Sequence, residues 1–244
     1  MSIANLHVGE TAEILEQVRP GIEQSTSLQG ALQVLTSALM DDYADSVVLV
    51  RAFVTVAYEK LPAAKQAFAQ RILPDSKDAD VLKNDTPVLS LLATSGREPN
   101  WNTVEKSKGN ICIPLMSDQF VAEIQMVSRL LTDLGLGVNL GVDAGATYSD
   151  DPGSKVRTFY VSDALTEVDG RGRKVIVNQQ FAEKYAVKTV FGGGGPYPNH
   201  PSNVLAVIFF TNEQVSRDVA CAFEPLIASV QACTEIFLKE DHLF

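Results

Sequence analysis

The chain has 244 residues, 45% of them hydrophobic, and its 30 acidic against 20 basic side chains give a formal net charge of -10. That apolar content supports a packed core and excludes a disordered chain, and the acidic balance opposes association with nucleic acid or an anionic membrane surface. The opening Ile3-Ala4-Asn5-Leu6-His7 lacks a charged-then-apolar leader, and no apolar run approaches the roughly 20 residues of a membrane span, so a cytoplasmic protein is expected.

Thr11 caps a first short helix with Ile14, Leu15 and Val18 on one face, ended by Pro20-Gly21. This helix makes residues 1–26 an extension ahead of a domain at 27–244. A second helix follows Ser27, with Leu28, Leu32, Leu35 and Leu39 at helical spacing. From Ser46 to Tyr58 the pattern is that of a strand. Its even face, Val48 to Tyr58, is nearly all apolar, while its odd face mixes Val47, Leu49, Arg51, Phe53, Thr55 and Ala57. Arg51 in mid-strand needs a carboxylate or an anion, because an unpaired buried charge costs several kcal/mol, on the order given for buried ions. An internal ion pair and a solvated face are the ordinary readings. A ligand anchor is the functional one, with Phe53 and Thr55 beside it.

"PAAKQAFAQRIL" reads as a helix stopped by Pro74-Asp75-Ser76. "DTPVLSLLATSG" reads as another, capped by Asp85 or Thr86, with Pro87 in its first turn and Gly96 as its stop. Trp101, the one tryptophan, lies in the polar "REPNWN" and is either a plug folded onto the core or a ring that stacks on a ligand. "NICIPL" is a buried strand. Ser117-Asp118 opens a helix with Phe120, Ile124, Val127, Leu130 and Leu131 on one side, ended by Gly135 and Gly137. The glycine-dotted "GVDAGATYSDDPGS" leads to a strand from Lys155 to Ala164, which contains the candidate contact Tyr160.

Asp163, Glu167 and Asp169 precede Arg171, Arg173 and Lys174. The group is either an anion site, in which Arg171 and Arg173 bind, or a solvated turn of mutual ion pairs. A short helix "NQQFAEKYAV" and the strand "VKTVFGG" follow. The run Gly192 to Gly195 is not a phosphate loop, since it leads into a strand and no Lys-Ser or Lys-Thr follows it. Gly192 to Asn203 is expected to be the loop of an antiparallel hairpin whose glycines let the backbone approach a side chain or a bound molecule. Phe191, Gly193, Gly194 and Tyr197 are therefore candidate ligand contacts, with Asn199 and His200 at the same edge. A long helix from Asn212 or Glu213 closes the chain, kinked at Pro225.

Cys112, Cys221 and Cys233 are odd in number and lack a C-x-x-C spacing, so they read as reduced, buried packing residues. His7, His200 and His242 are too far apart for a metal-ligand motif. A haem on His200 is a minor alternative, and the cofactor is otherwise unassigned.

The strand "NICIPL", the hairpin from Thr189 to Phe210 and the closing "FTNEQVSRDVACAFEPLIASVQ" together resemble a GAF-type sensory domain over about Ser27 to Phe237. The resemblance implies an α+β fold: an antiparallel sheet with the N- and C-terminal helices packed on one face and a small-molecule pocket on the other. It also implies a homodimer through the terminal helices and signal relay, here to a separately encoded protein. The rival readings are an interaction subunit without a ligand and an enzyme using Cys112 or the Asp163 to Arg173 cluster.

Overall fold

The computed structural model describes residues 1–6, 9–73, 82–107, 109–136 and 156–244. Six strands, β1 (Val47–Ala57), β2 (Pro87–Gly96), β3 (Cys112–Pro114), β4 (Arg157–Val161), β5 (Thr189–Tyr197) and β6 (His200–Thr211), form one sheet in the order β3-β2-β1-β6-β5-β4. Every neighbouring pair is antiparallel. β1 and β6 pair at the centre, so the sheet is complete only when both halves of the chain are in place.

The helices among the described residues are α1 (Glu10–Gln24), α2 (Leu28–Asp42), α3 (Ala63–Arg71), α4 (Asp118–Ala122), α5 (Gln125–Asp133), α6 (Gln179–Lys184), α7 (Arg217–Cys221) and α8 (Glu224–Lys239). α2 and α8 pack on one sheet face and α1 packs on both of them. Ile14, Val18 and Ile22 of α1, Leu32, Leu35 and Leu39 of α2, and Leu226, Val230 and Phe237 of α8 share one core with Val50, Ala52, Val54, Leu205, Val207 and Phe209 of the sheet. Each such aliphatic or aromatic side chain contributes about 1.5–3 kcal/mol through burial. The first helix, expected to belong to an extension, shares this core. On the opposite face Leu49, Phe53, Leu89, Leu91, Phe159 and Ile208 pack with Val127, Leu130 and Leu131 of α5 and Ala182 of α6. The fold is α+β, with the first and last helices together on one face, as the sequence implied.

Several local expectations need correction. α1 does not stop at Pro20-Gly21 but runs to Gln24. Pro20 is exposed, and a Cβ at Gly21 would lie 2.8 Å from Val34 Cγ1, so the glycine lets α1 close on α2. "DTPVLSLLATSG" is not a helix: Pro87–Gly96 is β2, buried from Val88 onward. A strand buried on both faces loses its polar alternation, and a short apolar run then looks the same in either period. The glycine run is not a hairpin loop but the middle of β5, and the strands turn at Pro198-Asn199. Cβ atoms at Gly192 and Gly194 would collide with the carbonyl oxygens of Val207 and Leu205 on β6, so glycine is what this close strand pairing requires.

The closing helix begins at Arg217, capped by Ser216, and breaks at Ala222-Phe223, which places Pro225 in the first turn of α8. There the missing N–H costs nothing. By length and composition alone the stretch Arg217–Lys239 is apolar enough to cross a membrane, but it is split between two helices and half of its most apolar window is buried in this fold. The helix begun at Ser117 likewise breaks between α4 and α5. Irregular pairing between Val47 and Leu49 turns Val47 toward the terminal helices and Val48 away from them, the reverse of simple alternation. Pro74-Asp75-Ser76, Gly137, His7 and "GVDAGATYSDDPGS" lie outside the described residues.

Candidate functional site

Val50 and Ala52 point into the terminal-helix core while Leu49 and Phe53 point into the opposite one, so Arg51 faces away from the terminal helices. Its register partners are Thr94 on β2 and Ile208 on β6. Arg51 Nη2 donates to Ser107 Oγ at 2.8 Å. Gly109, with φ +100, passes close to it, and a Cβ there would sit 3.8 Å from Arg51 Nη1. Burial pulls the guanidinium from its ordinary 12.5 down to about 10, which leaves it cationic at neutral pH.

Thr94 is 0% exposed, and its Oγ1 has no hydrogen-bond partner among the described residues. Directly opposed residues of an antiparallel pair place their Cβ atoms about 4.5–5.5 Å apart. A buried cation and an unused hydroxyl thus stand together on the sheet face away from the terminal helices. The helical reading of Pro87–Gly96 hid Thr94. Period-two counting from Val88, carried through the irregularity at Leu92, is the signal that finds it.

Phe53 is buried in the same cluster. Thr55 Oγ1 donates to Ser202 O at 2.8 Å and accepts from Val204 N at 2.7 Å, so this hydroxyl continues the β1–β6 pairing past Leu205. Trp101 is half-buried and folded back: its ring meets Tyr185 and Phe181 edge-on, at centroid distances of 4.8 and 5.6 Å, and a Cβ on Gly96 would lie 2.8 Å from its Cε3. Gly194 shares this face, where a Cβ would lie 3.1 Å from Leu134 Cδ1.

Four other candidates point the opposite way. Phe191 is stacked on Phe209 at 4.8 Å beneath Phe223, and a Cβ at Gly193 would meet Ile227 Cδ1 at 2.6 Å. Tyr160 donates to Val215 O at 2.7 Å, and burial pushes its hydroxyl up. Tyr197 is fully buried, with its hydroxyl 3.0 Å from Thr234 Oγ1. These residues fasten the sheet to α7 and α8 and lie on the other side from Arg51.

Arg171 and Arg173 form a third group, at a surface turn. Arg173 meets Asp169 Oδ2 and Glu123 Oε2, each at 2.8 Å, and donates to Ala122 O at 2.6 Å; Arg171 meets Glu123 Oε1 at 2.8 Å. The Arg173 amide, foremost among the donors to Asp169, holds that carboxyl below its ordinary range. The turn is thus a set of mutual ion pairs that ties α4 to the β4–α6 connection.

Of the cysteines, Cys112 is buried, whereas Cys221 and Cys233, expected in the interior, are half-buried on α7 and α8. Cys233 Sγ accepts from Arg19 Nη1 at 3.9 Å. No group of three or more His, Cys, Asp or Glu among the described residues is placed to hold a metal ion.

No family profile and no curated protein matches the sequence. Among solved structures the chain is similar to the phycocyanobilin-bound GAF domain from a cyanobacterial phytochrome, with 13% identity and a TM-score of 0.48 over 95% of this chain and 97% of that one. It is also similar to the GAF domain from an Acinetobacter phosphoenolpyruvate-protein phosphotransferase, at 12% identity and a TM-score of 0.44 over 96% and 98% of the two chains. For the chromophore-binding domain of a bacteriophytochrome from R. palustris the values are 8% and 0.45, over 96% of this chain and 62% of that one.

Proposed function

We propose that this chain is a small-molecule-binding sensory or regulatory module of the GAF type, which takes an anionic ligand on the sheet face that carries Arg51 and Thr94. The observation that carries the reading is the Thr94 hydroxyl, buried and without a hydrogen-bond partner among the described residues, opposite a buried guanidinium. A buried hydroxyl left unsatisfied costs about 1–3 kcal/mol. A carboxylate or phosphate oxygen offers the Thr94 hydroxyl an acceptor on the face that carries a buried guanidinium, which makes an anion the fitting class.

The strand that carries Arg51 also presents Val50, Ala52 and Val54 to the terminal-helix core. Ligand contact with β1 therefore acts on the seating of α2 and α8 by biasing arrangements already in equilibrium. The outward side of α8 carries exposed Ala228, Ala232 and Ile236, the last 45% exposed, and through it we infer a homodimer or a separately encoded signalling partner.

The first test compares the mass of the purified protein under native and denaturing conditions. Calorimetric titration with small carboxylates and phosphates then follows on the wild type, Arg51→Ala and Thr94→Val. A retained or titrated anion whose affinity drops in both variants is the expected result. Affinity unchanged in both removes the ligand from this face, and no binding of any anion removes the sensory reading. Sedimentation of Ile236→Glu tests the dimer separately: a wild-type dimer that becomes a monomer is expected.

A further inference from the structure

On the other side of the sheet α3 carries a lysine into the interior. Lys65 is 7% exposed; its Nζ donates to Leu91 O at 2.6 Å and to Ser90 Oγ at 3.1 Å. Cys112 Sγ lies 3.6 Å from the same Ser90 Oγ. None of the ion pairs among the described residues includes Lys65. An aromatic ring lies over it: Nζ stands 4.5 Å from the centroid of the Phe244 ring.

A local irregularity explains why a polar group is needed here. The β1–β2 register jumps from Ala52↔Ala93 to Phe53↔Leu91, leaving Leu92 as an extra residue, and Lys65 reaches the carbonyl just before it. An uncharged donor would serve that carbonyl equally well. What a lysine adds is an amine held out of water. Burial outweighs the opposing influence of Cys112 and Glu105 and draws the amine from its ordinary 10.5 down to about 8. Near neutral pH a larger share of this amine is therefore unprotonated than in an ordinary lysine.

The cover is a strap. Leu28 N donates to His242 O at 2.8 Å and Gln29 N donates to Leu243 O at 3.0 Å, which fastens residues 242–243 to the start of α2. Leu243 is buried, but Phe244, whose ring lies over Nζ, is 39% exposed. A buried amine thus lies under an exposed ring at the end of a two-bond strap.

We propose that Lys65 is a covalent capture site for small apolar aldehydes and that Phe244 is its cover. The neutral Nζ adds to the carbonyl carbon, the carbonyl oxygen collects the amine protons and leaves as water, and an imine remains; nothing is oxidised or reduced. Leu91 O and Ser90 Oγ hold Nζ before the attack and give up its two protons as the imine forms. The apolar core around α3, which includes Ala69, Val88, Leu92 and Cys112, favours an uncharged partner. Carbon dioxide, by contrast, would leave a carbamate anion against the charge of Glu105. The site is on the opposite sheet face from Arg51 and stands or falls separately.

The test treats the intact chain at pH 7.5 with acetaldehyde and cyanoborohydride, which reduces the imine to a stable ethylated amine, and follows each lysine by peptide mass spectrometry. Lys65 should be ethylated at least tenfold faster than the exposed Lys106 and Lys188. Phe244→Ala should raise the Lys65 rate several-fold further and leave those two unchanged; Phe244→Leu serves where the alanine variant fails to fold. A Lys65 that outpaces both in the wild type and is faster still once uncovered supports the covered site. Labelling no faster than at Lys106 and Lys188 in both forms overturns it, as does labelling that tracks global unfolding in urea.

Discussion

Arg51 and Thr94 are register partners across β1 and β2, and the first brings a buried charge to a face where the hydroxyl of the second has no hydrogen-bond partner among the described residues. Replacing Thr94 by the nearly isosteric valine removes an unsatisfied polar atom without opening a cavity. The ligand-free protein should therefore gain about 1 kcal/mol, from the cost of a buried unpaired group, read as a higher urea midpoint at unchanged slope. A loss of similar size would mean that the hydroxyl is bonded in the free protein and would withdraw it from the site.

The glycines of β5 are separable by what faces them. Gly192→Ala and Gly194→Ala push a methyl into the backbone carbonyls of Val207 and Leu205, which cannot rotate away. Both should cost more than about 3 kcal/mol, the upper end for overpacking. Gly193→Ala meets only the tip of Ile227, at 2.6 Å, and should cost about 1–3 kcal/mol, with Ile227→Val restoring part of it. Equal losses at all three positions in chemical denaturation would contradict this account.

These strands also mark what the sequence could reveal. The strand at Val47–Ala57, the terminal helices and the buried "NICIPL" were legible, since one-sided periodicity or β-branched density marks them. β2 was not, because burial from Val88 to Gly96 erases the polar punctuation that tells strand from helix. The glycine run looked like a loop because glycine signals turns as well as tight strand pairing, and only the position of the β6 carbonyls decides between them. That reading made Phe191 and Tyr197 candidate ligand contacts, whereas the pleat of β5 turns both toward α8.

Tyr197 and Thr234 hold the β5–β6 hairpin to α8. Thr234 Oγ1 donates to Val230 O at 2.7 Å, so its single proton is engaged and Tyr197 is the donor in their 3.0 Å contact. Tyr197→Phe should cost about 1 kcal/mol, and Thr234→Val, which strands the buried phenol, about 1–3 kcal/mol. The double variant should be less destabilised than the two losses added, because neither partner is then left unpaired. Strict additivity in the cycle would mean that the pair does not interact.

Lys65 gives the stability of the fold a pH dependence of unusual sign. Its folded value, about 8, lies below the ordinary 10.5, so between the two the unfolded chain holds the extra proton and stability rises with pH. Below pH 8 both states are protonated and the full penalty of the buried charge is present; above 10.5 it is gone. Cys112 works the other way: burial pushes its thiol above the ordinary 9.0, so above that pH the unfolded chain loses its proton first and stability falls. The window from pH 8 to 9 therefore isolates the lysine. There the wild type should gain stability, relative to Lys65→Met, with a slope approaching ~1 kcal/mol per pH unit. Urea midpoints at pH 8.0, 8.5 and 9.0 measure it. Parallel curves for the two proteins would show that Lys65 carries no depressed value, and would remove the chemical ground for its reactivity as well.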